Sequence, residues 1–75
     1  MTVYYFNVTH QPDILDQEGV ELPNDAAAWE EATRTCGEMI RELDGNLVAG
    51  KPWIMEVSDG ESTVFTLTFY AHRWR

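Results

Sequence analysis

The run "PWIMEVSDGESTVFTLTFYA", Pro52–Ala71, decides the fold. Before its Asp59-Gly60 pair, Trp53, Met55 and Val57 alternate with Ile54, Glu56 and Ser58. After it, Phe65, Leu67 and Phe69 alternate with Val64, Thr66, Thr68 and Tyr70. A period of two puts successive side chains on opposite faces of a strand, and Asp-Gly between two such runs marks a hairpin turn, because glycine accepts the positive φ that a tight turn demands. The spacing therefore predicts a β-hairpin with one aromatic-aliphatic face and one threonine-rich face. Two strands alone are at best marginal in water, so the apolar face must be covered by other parts of the chain.

Upstream of the hairpin the pattern becomes helical. From Asn24 onward Trp29, Ala32, Cys36, Ile40 and Leu43, extendable to Leu47, recur at three and four residues and form one apolar stripe that needs a sheet. Asn24 or Asp25 is the expected N-cap, accepting hydrogen bonds from the first free N–H groups, and nearby carboxylates are favoured by the positive end of the helix dipole. On the opposite face Glu30, Arg34, Glu38 and Glu42 follow at i, i+4, with two opposite-charge contacts and one like-charge contact of about 0.3 kcal/mol each. The helix end admits two readings: a left-handed stop at Asp44-Gly45, or a longer helix reaching Gly50 before Pro52.

Further upstream, residues 2–9, "TVYYFNVT", are β-branched and aromatic with Tyr4, Phe6 and Val8 on one side and Val3, Tyr5 and Asn7 on the other, a strand pattern. The connecting "HQPDILDQEGVELPN" mixes Pro12, Gly19 and Pro23 with acids, which suits a turn and a short edge strand around Val20–Leu22. The order is β-β-α-β-β. The expectation is a single small α+β domain over residues 1–75: two layers, one antiparallel-rich sheet of three to four strands, one helix on one face.

Charge is distributed unevenly. Thirteen acids against five bases give −8, and residues 13–44 hold ten of the acids with only Arg34 and Arg41, so the remaining chain is neutral. Such a balance repels nucleic acid and anionic bilayers, and binding to either is not expected. No apolar run has membrane-span length, the first residues carry no basic, apolar leader pattern, and one cysteine permits no intramolecular disulfide. These features fit a soluble protein of a reducing cytoplasm.

Several residues together resemble a family. The tyrosine/phenylalanine-rich first strand with Tyr4, Phe6 and Val8, then Asp16, Gly19, Leu22 and Pro23, the helical Ala28 and Ala32, and the hairpin Val57, Asp59 and Phe69 are similar to the small bacterial proteins grouped as domain of unknown function family 6894. The resemblance covers almost the whole chain and implies a fold and a bacterial cytoplasmic setting; it transfers no catalytic residue. The chain departs from the family pattern at Asn7, where members usually have His, and at Asn24, where they typically have Asp. A weaker similarity is to antitoxins of HicB type, whose strand, acidic turn, "LP" and Ala/Glu helix follow in comparable order and which shield a small basic RNase. Here the initial hairpin is shorter and no DNA-binding extension follows.

Candidate chemistry is sparse. Asp13, Asp16, Glu18 and Glu21 match no register of a calcium loop, which needs ligands at positions 1, 3, 5 and 12 with Gly at 6, so a solvated turn is expected, with Gly19 at positive φ and Asp16 bonding local backbone. Cys36 lies mid-helix on the apolar stripe, away from any activating base. His10 and His72 read as surface residues, and one Cys with two His is too few for a closed zinc site. Ser58, Ser62 and the threonines have no His-carboxylate pair nearby in sequence, and the glycines form no phosphate-binding loop. No catalytic, cofactor-binding or metal-binding residue is therefore assigned, and no cofactor is expected.

The unusual surface is the sheet face turned away from the helix. Val3, Tyr5, Ile54, Val64, Thr66, Thr68 and Tyr70, continued by Trp74 of the "FYAHRWR" tail, make it half apolar with no second helix to cover it. Such a face is either an ordinary threonine-rich solvated one or an association surface. Arg73 and Arg75 are placed to meet the acidic middle segment, within one chain or across a dimer. The expected function is a non-enzymatic protein-interaction domain, with self-association through the open face or an edge strand. The alternative is an acidic HicB-like inhibitor of a small basic protein.

Overall fold

The structure, a computed structural model, describes residues 1–9 and 14–75. The elements follow the expected order: β1 (Thr2–Thr9), β2 (Val20–Leu22), α1 (Asp25–Glu42), β3 (Trp53–Ser58) and β4 (Thr63–Phe69). They form one α+β unit, an open antiparallel sheet of order β2-β1-β3-β4 with α1 lying over one face. Among the described residues no helix is long and apolar enough to cross a membrane.

The hairpin has the expected faces. Trp53 pairs with Phe69, Met55 with Leu67 and Val57 with Phe65 on the side of the core, while Ile54–Thr68 and Glu56–Thr66 form the other face. Its connection is longer than the Asp59-Gly60 pair alone. Four residues, Asp59 to Ser62, separate the strands, the Asp59 N–H donates to the Ser62 carbonyl, and Asp59 Oδ1 accepts from the N–H groups of Glu61 and Ser62 at 2.9 Å each. Gly60 takes φ +93°, and the register slips between Val57 and Ser58. Those bonds hold the Asp59 carboxyl below its ordinary range.

The core joins Tyr4 and Val8 of β1, Trp53, Met55 and Val57 of β3, and Ala28, Ala32 and Cys36 of α1. Each large side chain removed from water contributes about 1.5–3 kcal/mol, so the three β3 residues alone make that strand the centre of stability. Alanines at 28 and 32 let the helix approach the aromatic sheet closely. Trp29, expected on the buried stripe, is instead 51% exposed at its flank, its indole meeting Phe65 edge to face with ring centroids 5.1 Å apart. An indole is too large for the narrow space that Ala28 occupies.

Asn24 is the N-cap, its Oδ1 accepting from Ala27 N–H at 2.9 Å. The helix ends at Glu42, the earlier of the two expected stops, because Asp44 and Gly45 both turn left-handed at φ +50° and +86°. Leu47 lies beyond the helix yet still packs against the core. At the other end the buried Tyr4 hydroxyl donates to Asp25 Oδ1 at 2.6 Å, tying the first strand to the first helical turn. That hydrogen bond, with burial second, pushes Tyr4 ionisation above the ordinary phenol range.

Candidate functional site

The two long edges of the molecule differ, and the helix shows why. At about 100° per residue, the turn of an α-helix spreads α1 around the buried stripe Ala28, Ala32 and Cys36. On one side of that stripe come Trp29, Ile40, Thr33, Ala26 and Gly37, none of them charged. On the other come Glu42, Glu31 and Glu38, with Glu30, Arg34 and Arg41 at the outer face. The Trp29–Phe65 contact turns the uncharged flank toward β4. The acidic flank faces the segment that carries β2, where Glu31, Thr35 and Met39 line a cleft with Ile14, Leu15 and Val20.

That cleft has a volume of about 340 Å³. Met55 and the half-buried Phe6 and Met39 supply much of its apolar lining, Leu15 is 70% exposed beside it, and Asp16 and Glu31 add carboxylates. Both carboxylates are already engaged. Asp16 accepts from Phe6 N–H and Glu18 N–H at 3.2 Å and from Gly19 N–H at 3.0 Å. Its own N–H donates to Asn7 Oδ1 at 2.8 Å. Asp16 thus takes the place of a missing ladder partner between the Val8–Ile14 bridge and the β1–β2 pairing. Glu31 pairs with Arg34 and accepts from Thr35 Oγ1 at 3.4 Å. Arg34 was expected between Glu30 and Glu38; the contact goes to Glu31 instead, one helical turn away on the acidic flank.

Gly19 shows the backbone conformation expected of it, with φ +76°. The reason is tertiary as well as local: a Cβ there would lie 2.4 Å from Val3 Cγ1 and 3.0 Å from Tyr5 Cε2. The turn therefore packs on the very residues assigned to the open sheet face. Val3 and Tyr5 are half-buried, as is Ile54, whereas Thr66, Thr68, Tyr70 and Trp74 are exposed, Trp74 at 90%. Between them runs a polar row, Asn7–Glu56–Thr66. Val64 is half-buried against the core cluster. The face divides into a β1 end closed by the turn and a β4 end left open.

At the β4 edge the strand Thr63–Phe69 has a neighbour on one side only. Its outward N–H and C=O groups have no hydrogen-bond partner among the described residues. No charged residue, proline or glycine interrupts it, and Phe69 is 42% exposed. In the tail beyond it, His72 stands between the rings of Tyr70 and Trp74, and Arg73 Nε donates to the Arg75 carbonyl. Among the described residues neither arginine has a carboxylate within ion-pair distance; the expected link to the acidic middle segment is not made within the chain.

Cys36 is buried, and burial raises its thiol. Among the described residues no group of three or more His, Cys, Asp or Glu is arranged to hold a metal ion. His10 and Asp13 lie outside the described residues. The cleft, the uncharged helix flank and the double role of Asp16 were not read from the sequence. Only the flank left a signal there, in the angular separation of the glutamates from Trp29, Thr33 and Gly37.

The sequence profile of the family described as domain of unknown function (DUF6894) matches residues 3–70, and the chain belongs to that family. No curated protein and no solved structure matches it.

Proposed function

We propose that this family member is a non-enzymatic protein-interaction domain that docks through β4 and the adjoining Trp29 flank of α1. One observation carries the reading: in a chain of net charge −8, an unpaired sheet edge and the helix flank beside it are both free of charged side chains. Strand edges of monomeric proteins are ordinarily guarded by lysine, proline or a bulge in the edge strand, since exposed backbone groups recruit another strand. Neither lysine nor proline lies within Thr63–Phe69; its one bulge, at Val64, leaves Phe65–Phe69 regular, and half-exposed aromatic side chains border it. The best-connected carboxylates, Asp16 and Asp59, spend their hydrogen bonds on backbone N–H groups, and the thiol is buried, which suits a binding role better than a chemical one. A lone buried thiol also suits a reducing cytoplasm.

A second reading rests on the other edge. The apolar cleft with Leu15 exposed beside it and the glutamate flank of α1 next to it matches a small basic partner, as an acidic inhibitor requires. One experiment separates the two. A photoreactive residue replaces Thr66 in one variant and Leu15 in another, and adducts formed in the native host cells are identified by mass spectrometry. Protein adducts from position 66 and none from position 15 are expected. Adducts from position 15 alone favour the acidic inhibitor, and none from either removes the interaction role.

A further inference from the structure

Resting on that reading, we infer that the partner of the β4 edge is a second copy of this chain, paired antiparallel about a two-fold axis at Thr66 to make one continuous eight-stranded sheet. The strand is self-complementary in this register. A two-fold at Thr66 centres the joint on the regular part of the strand, pairing Phe65 with Leu67 and Thr66 with its own copy, leaves the bulged Val64 at the ends of the joint, and keeps both helices on the same face. It sets Phe65 beside Leu67 of the copy on the core side, twice. Cross-strand pairs of this kind are the unit by which sheets gain stability. Trp29, already against Phe65, then borders the joint from the helix layer.

Charge selects both the direction and the partner. β4 has an acidic end, where Asp59 and Glu61 stand in the turn, and a basic end, where Arg73 and Arg75 stand in the tail with no carboxylate paired to them among the described residues. Antiparallel pairing brings the acidic end of each copy beside the basic end of the other; parallel pairing sets acid beside acid. The remaining acids stay distant. Glu56 is opposite Thr66 within the hairpin, so the two copies of Glu56 stand three strand spacings apart, about 14 Å. That exceeds the Debye length of about 8 Å at physiological salt, so their repulsion is largely screened. Glu31, Glu38 and Glu42 lie on the far flank of α1 and Glu30 at its outer face, away from the joint.

The register makes the inference testable with the whole 75-residue chain. In sedimentation velocity from micromolar to millimolar concentration the protein is expected to dimerise reversibly. Thr66→Cys places two sulfurs across the axis at a Cα separation of about 5 Å, within disulfide range, and is expected to lock the dimer under mild oxidation. Thr68→Cys, offset from its own mate by four residues or about 13 Å along the strand, is expected not to link. Both sites are exposed, so the fold tolerates either change, and Cys36 is buried and does not compete. Arg73→Glu is expected to weaken the dimer about tenfold at low salt, and Glu61→Lys combined with Arg73→Glu to restore it. A chain monomeric throughout the range, a Thr68→Cys variant that links as readily as Thr66→Cys, or a double swap no better than Arg73→Glu would each overturn the pairing. If the monomer nevertheless yields adducts to a different protein from position 66 in cells, only self-pairing is lost and the interaction reading stands.

Discussion

At the β2 edge the chain folds back and closes its own ladder: Ile14 bridges Val8, Asp16 caps Phe6, and Gly19 lies against Val3 and Tyr5. At the β4 edge nothing among the described residues does so for Thr63–Phe69. The charge follows the same division, with Glu31, Glu38 and Glu42 of the helix beside the closed edge and the uncharged flank beside the open one. Where a backbone is already satisfied, carboxylates keep the surface solvated; where it is not, charge would obstruct a partner. The acidity of this chain is thus concentrated away from the open edge.

The sharpest way to break this contrast is Gly19→Ala. The new Cβ meets Val3 Cγ1 at 2.4 Å and the Tyr4 carbonyl at 3.1 Å on a backbone at φ +76°. A loss of about 3 kcal/mol in chemical denaturation is expected. Gly60→Ala on the hairpin shares a positive φ, yet its nearest neighbour is Tyr5 Cε1 at 3.5 Å, and about 1 kcal/mol is expected. Equal costs would mean that the β2 edge is no more tightly closed than the hairpin turn.

Asp16→Ala is the next test. It leaves three backbone N–H groups without their acceptor, and about 2 kcal/mol of destabilisation follows if they are only partly rehydrated. Amide exchange at Phe6 and Gly19 is expected to accelerate while Leu67 in β4 keeps its protection. Uniform acceleration would show that the two edges open together.

The smallest effect concerns the β4 side. Asp59 is held below its ordinary value by the N–H groups of Ser62 and Glu61, so its carboxylate favours the folded state. That contribution is present above the unfolded value of about 3.9 and disappears as pH falls through the lower folded one. Thermal melts of wild type and Asp59→Asn are expected to differ by a constant amount at neutral pH and to converge in that acid window. Persistence of the difference in acid would assign it to packing rather than to charge.

Much of this was legible in the chain. The hairpin faces, the first strand, the short strand Val20–Leu22, the Asn24 cap and the positive φ of Gly19 each depend on neighbours within a few residues, and local chemistry sufficed. Trp29 was misplaced by one helical position, because a periodic stripe does not say how close the sheet comes. Alanine at 28 wins that place on size. The Arg34 partner and the open face of Val3 and Tyr5 were misjudged for a similar reason: each depends on what approaches from elsewhere.

The sequence by itself determined which segments are strands and helix and which side of each is apolar, since both follow from periodicity and from the few residues tolerating caps and turns. Only the tertiary structure decided that β2 and β4 lie at opposite edges and that the turn closes over one while the other stays bare. Strand order, and with it which helix flank borders which edge, arises from long-range pairing that leaves no mark in local spacing.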